Sequence, residues 1–66
     1  MTVTVNGEKR ETTGGTTLSA YLESLNLSAG RLACELNGEI VRRADYGRTT
    51  LKEGDALEIV QMIGGG

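Results

Sequence analysis

Histidine, proline, tryptophan and phenylalanine are all missing from this 66-residue sequence, and cysteine occurs once, at Cys34. Without histidine and with a single thiol, neither a zinc site nor a Ser/His or Cys/His nucleophile pair can be assembled. One cysteine also excludes a disulfide framework within the chain, so the expected compartment is the reducing cytoplasm. Tyr21 and Tyr46 are the only aromatics, and a net charge of −2 is built from scattered charges of both signs. That leaves neither a stacking platform nor a basic footprint for nucleic acid. No apolar run approaches the length of a membrane span, and no signal segment is expected before the first strand. The phosphate-cradling G-x-x-x-x-G-K-[ST] pattern is absent as well. Gly14-Gly15-Thr16-Thr17 has glycines and hydroxyls but no lysine, and reads as a helix entry. A domain this small buries only about 60% of the surface its unfolded chain exposes. That leaves no room for a substrate cleft beside a core, so an independent enzyme is not expected.

What the sequence does contain is glycine, ten residues in all, three of them consecutive at Gly64, Gly65 and Gly66. Three glycines add nothing to a core and are costly to order. They do form a slim, flexible tail without side chains that extends about 10 Å at 3.3–3.6 Å per residue. A terminal carboxylate on such a tail can enter a narrow channel, and its carbonyl is unhindered.

Upstream, Met1, Val3 and Val5 alternate with Thr2 and Thr4, predicting a half-buried strand. Asn6-Gly7 is a two-residue hairpin signal, followed by a polar return strand through Lys9, Arg10, Glu11 and Thr12 whose charges suit a sheet edge. Thr16 or Thr17 can cap a helix running to about Leu25, with Leu18, Tyr21, Leu22 and Leu25 as one apolar stripe. Asn26 to Gly30 unwinds it. Arg31 to Leu36 alternates again, placing Leu32, Cys34 and Leu36 inward, so Cys34 is expected to be a core thiol. Asn37-Gly38 repeats the hairpin signal before a short strand, Glu39 to Val41. Arg42 to Lys52 reads as a polar loop anchored by Tyr46 and Leu51, with Arg42 and Arg43 expected to be solvated and contact with an acidic partner surface as the alternative. Glu53-Gly54-Asp55 turns the chain into a final strand, Ala56 to Ile63, with Leu57 and Ile59 inward.

This order predicts an α+β fold, a mixed sheet of four to five strands with one main helix packed across it. If the first and last strands are adjacent and parallel, the arrangement is a β-grasp, ubiquitin-like, with residues 1–63 as the domain and 64–66 as the tail. A carboxylate is a poor electrophile and needs activation, typically as an adenylate, which this chain cannot perform alone. It would therefore be the substrate of another protein. Val60, Met62 and Ile63 adjoin the tail and are the expected docking residues. Ile40 and Val41 could join them, but a core position is the stronger expectation for both.

Several segments together carry a family resemblance: Val3-Thr4-Val5-Asn6-Gly7-Glu8, Thr17-Leu18 with Leu22, Glu35-Leu36-Asn37-Gly38-Glu39-Ile40-Val41 with Arg43, then Leu51, Gly54-Asp55, Glu58-Ile59-Val60 and Gly65-Gly66. The chain resembles the ThiS family, the sulfur carriers of thiamine-thiazole biosynthesis. The resemblance implies that a ThiF-like adenylyltransferase, using ATP and magnesium, adenylates the Gly66 carboxylate. Sulfur originating in cysteine, through a desulfurase, then converts it to a thiocarboxylate that a ThiG-like thiazole synthase consumes. No cofactor would be bound by the chain itself. Thr12 departs from the family's apolar strand residue and suggests a loosely held second strand. A MoaD-type carrier for molybdopterin shares fold and tail, although such chains often have prolines before the glycines. A ubiquitin-like modifier joined to target lysines, or an interaction module with an inert tail, would also fit the fold.

Overall fold

The computed structural model describes residues 1–62; the expectations placed on Ile63, Gly64, Gly65 and Gly66 lie outside the described residues. Five strands form one sheet: β1 (Thr2–Val5), β2 (Glu8–Glu11), β3 (Leu32–Leu36), β4 (Glu39–Val41) and β5 (Ala56–Gln61). Their order across the sheet is β2-β1-β5-β3-β4. The first and last strands are neighbours and parallel, with Thr4 beside Ala56 and Val5 beside Leu57, whereas β3 runs antiparallel to β5. One helix, α1 (Leu18–Ser24), joins the two halves, as the sequence order requires.

Each boundary has a local cause. Both hairpins turn on Asn-Gly, with φ of 50° at Asn6, 84° at Gly7, 54° at Asn37 and 87° at Gly38. Two consecutive positive φ values make the type I′ turn, whose twist matches that of the flanking strands. Thr17 is the N-cap of α1, its hydroxyl accepting from the Ala20 N–H at 3.1 Å. The helix stops one residue earlier than its apolar spacing predicts. Asn26 adopts a left-handed φ of 60°. The Asn26 and Leu27 N–H groups then bond back to the Glu23 and Leu22 carbonyls at 2.9 and 3.0 Å. This is a Schellman closure with asparagine in the position usually held by glycine. Leu25 becomes the cap and is 42% exposed, so the buried stripe of α1 is Leu18, Tyr21 and Leu22.

The core also takes Val3, Val5, Leu32, Cys34, Tyr46, Leu51 and Leu57. Cys34 is buried, as its alternation with Leu32 and Leu36 predicts. The segment expected to be an irregular loop contains a 3₁₀ turn, Arg43–Arg48, which lowers Tyr46 into the core against α1. Its neighbour Leu51 is fixed by a short bridge in which the Leu51 N–H donates to the Thr16 carbonyl and the Leu18 N–H to the Thr49 carbonyl. Burial, then a hydrogen bond to Cys34, push the Tyr46 phenol up to about 12. The all-polar β2 is exposed throughout. It is nevertheless held at its end: the Met1 nitrogen donates to the Thr12 carbonyl at 2.7 Å, and the Thr12 N–H donates back to the Met1 carbonyl at 2.9 Å.

Candidate functional site

The chemistry expected of this chain lies at the exit from β5, so the surface around that exit is the candidate site. β5 occupies the middle of the sheet, and its pairing extends one residue past Gln61, the Met62 N–H donating to the Arg31 carbonyl at 2.8 Å. The central strand therefore delivers the chain to its last four residues from a fixed position.

That position is held from both sides by the turn asparagines. The Asn6 amide nitrogen donates to the Ile59 carbonyl at 3.2 Å, and its oxygen accepts from the Ile59 N–H at 2.7 Å. From the other hairpin, the Asn37 oxygen accepts from the Ala56 N–H at 2.9 Å while its nitrogen donates to Asp55 Oδ1 at 3.0 Å. Asp55 is buried, and its second oxygen accepts from the Lys52 N–H at 2.8 Å. Asp55 thus closes the turn into β5, which is what its place in Glu53-Gly54-Asp55 suggests.

Helix α1 covers one face of the sheet; the other is open. The register assigns residues to it. Ala33 lies opposite Val60 and Glu35 opposite Glu58 across β3 and β5, while Glu35 also lies opposite Ile40 across β3 and β4. Carrying the β3–β4 register one residue further places Arg42 opposite Ala33, and the Met62–Arg31 hydrogen bond places those two opposite each other. Residues two apart share a face. The β4-β3-β5 half of the open face therefore reads, along the strands toward the exit, as Ile40–Glu35–Glu58, then Arg42–Ala33–Val60, then Arg31–Met62; β1 and β2 contribute Thr2, Thr4, Lys9 and Glu11 to the other half. All eight residues of the β4-β3-β5 half are exposed.

Val60 and Met62, two of the three expected docking residues, are 60% and 56% exposed on this face; Ile63 is outside the described residues. The expectation that Ile40 belongs to the core is overturned: it is 77% exposed. Pairing with Glu35 turns it outward on the edge strand, whereas its neighbour Val41, paired with Cys34, packs partly into the core as expected. The sequence signal that could have separated them is the parity set by the Asn37-Gly38 turn. Arg43 reaches toward the exit and donates to the Gly30 carbonyl at 3.4 Å.

On the helix side, an open groove of about 610 Å³ lies between β2 and the end of α1. Its rim includes the Glu8–Arg10 ion pair at 2.8 Å. Among the described residues, no buried side-chain polar atom lacks a hydrogen-bond partner, no group of three or more His, Cys, Asp or Glu is arranged to hold a metal, and no helix is long and apolar enough to cross a membrane.

The likenesses to known proteins agree with this layout. The ThiS family model matches residues 3–66. The crystal structure of the thiamine biosynthesis protein ThiS from Geobacter metallireducens superposes with a TM-score of 0.86 at 35% identity, covering 100% of both chains. An NMR structure of a thiamine biosynthesis protein from the same organism gives 0.81 at 36% identity, with 88% of that chain covered. Thiazole synthases of Paramagnetospirillum magneticum and Magnetococcus marinus are each 39% identical over all 66 residues. The chain spans about a fifth (20%) of the length of those two relatives. The sheet, with its parallel central pair and single crossing helix, is the β-grasp. The chain belongs to the ThiS family.

Proposed function

We propose that this chain is a sulfur carrier of thiamine-thiazole biosynthesis, with the Gly66 carboxylate as the atom-bearing end. The observation that carries this reading is the ThiS family match, which runs through β5 to residue 66. The α-carboxyl of Gly66 is ionised at neutral pH, its ordinary pKa being about 3.3–3.7. A ThiF-like adenylyltransferase, using ATP and magnesium, activates it: a carboxylate oxygen attacks the α-phosphorus and pyrophosphate leaves. A desulfurase takes sulfur from cysteine as an enzyme persulfide; its terminal sulfur attacks the acyl adenylate and displaces AMP, and a thiol reductant then cleaves the resulting acyl disulfide, leaving the thiocarboxylate and a disulfide of the reductant. A ThiG-like thiazole synthase takes that sulfur; the likeness to two thiazole synthases supports a partner of that kind. The chain is thus a co-substrate and contributes no catalytic residue.

The tail residues Gly64 and Gly65 suit entry into a narrow channel. Ordering the tail costs about 1–2 kcal/mol per residue in backbone entropy. Contacts made by the body of the domain must offset it. Val60 and Met62 are exposed apolar residues on the strand that leads there, with Ile63 next in sequence, and we assign them this docking role. The test is intact-mass analysis after incubation with a ThiF-type adenylyltransferase, magnesium-ATP, a desulfurase, cysteine and a thiol reductant. The expected product is heavier by one oxygen-to-sulfur exchange at the carboxyl end. An unchanged mass with an adenylyltransferase active on its own carrier would overturn the assignment.

A further inference from the structure

The β4-β3-β5 half of the open face is sorted by charge along its strands. Glu35 and Glu58 face each other across β3 and β5 at the end far from the exit. Like charges directly opposite on a sheet are destabilising. Neither carboxylate makes an ion pair or hydrogen bond among the described residues, and both are exposed. One row on come the small and apolar Ala33 and Val60 with Arg42 beside them on the edge strand, and at the exit end lies Arg31; neither arginine makes an ion pair among the described residues. A local rule broken on a surface with no internal compensation points to a partner that supplies it.

We propose that this charge order is the device that docks the adenylyltransferase in a single orientation. The inference rests on the sulfur-carrier reading and adds to it the chemistry of the partner's surface. The length of chain from Met62 to Gly66 limits the occupant to an enzyme that acts on that carboxyl end, and we assign the face to the first of these steps, adenylation. Four residues span about 14 Å at most. An enzyme that acts on Gly66 must therefore lie against the Met62 end of this face. The surface that fits has an apolar side chain over Ala33 and Val60, a lysine or arginine opposite the Glu35–Glu58 pair, and carboxylates near its channel mouth opposite Arg31 and Arg42. Reversing the domain end for end would bring like charges together at both ends. The tail would then point away from the channel.

The test is adenylate formation by the ThiF-type adenylyltransferase of the same genome, followed as ATP–pyrophosphate exchange. Glu58→Lys creates an attractive pair with Glu35, so its unfolding midpoint should hold or rise. Its KM for the carrier should nevertheless rise about tenfold, with kcat little changed. Glu35→Lys should behave likewise. Raising ionic strength should increase KM for the parent chain more than for either variant. Glu23→Lys, exposed on α1 away from the open face, is the control and should leave KM unaltered. Parent-like KM in both lysine variants would overturn the proposal, as would a loss confined to the thiazole synthase step or a parent dimer that Glu58→Lys dissociates. Failure of the parent chain itself to support exchange would instead sink the sulfur-carrier reading.

Discussion

Asn6 and Ile59 are 53 residues apart in sequence, yet the asparagine side chain satisfies both the donor and the acceptor of the isoleucine backbone. The residue that permits the first hairpin turn also ties that hairpin to the central strand. Asn37 does the same from the other hairpin through Ala56.

Asn6→Ala should therefore lose two hydrogen bonds and force a φ of 50° on a residue that disfavours it. Because these bonds are exposed, a destabilisation of about 1–3 kcal/mol is expected in chemical denaturation. Asn6→Gly keeps the turn and should recover part of the loss. In both variants the Ile59 amide should exchange with solvent deuterium faster than in the parent.

Leu22→Ala should act differently. Leu22 is fully buried on α1, so its truncation leaves a cavity between helix and sheet. A loss of about 2–5 kcal/mol is expected. In a domain of 66 residues this approaches the whole stability, and thermal unfolding should begin near ambient temperature.

Tyr46 predicts an alkaline limb. Its phenol ordinarily ionises near 10 and is raised to about 12 in the folded state. The unfolded chain therefore releases this proton first. The stabilisation is fully present below pH 10 and is lost as pH rises from 10 through 12. Denaturation midpoints of the parent should fall across that window, and Tyr46→Phe should flatten the fall. An equal slope in both would show that the limb has another source.

Removing Gly66, or adding residues after it, should abolish sulfur loading while the unfolding midpoint stays at the parent value. Among the described residues, the buried core runs from Val3 to Leu57, with Met1 and Ile59 packed against it. Circular dichroism melts read the second effect and intact mass the first.

Much of this fold is legible in the sequence because its punctuation is local. Two Asn-Gly turns set two hairpins, Thr17 sets the helix start, and alternation sets the faces of β1, β3 and β5. What escaped detection depended on tertiary placement. The 3₁₀ turn at Arg43–Arg48 buries one residue, Tyr46, and so has no periodicity to reveal it. Leu25 fits a helical stripe, but the left-handed Asn26 ends the helix before Leu25 can face the sheet. Ile40 sits in a strand triplet whose composition does not mark the open side; the Asn37-Gly38 turn decides it by pairing Ile40 with Glu35. For the candidate site, exposure of Val60 and Met62 followed from their alternation with Leu57 and Ile59. The ordering of charge on that face required the β3–β5 register, which spans residues far apart in sequence.

The seclusion of Cys34 has a chemical consequence. A thiocarboxylate and a free thiol compete for the same soft electrophiles and oxidants, and would couple to one another if both met solvent. Cys34 is only 1% accessible, so under the proposed function a thiocarboxylate at Gly66 would be the one accessible thiol-type sulfur of the charged domain. Alkylating reagents applied to the native protein should thus count cargo and ignore the carrier.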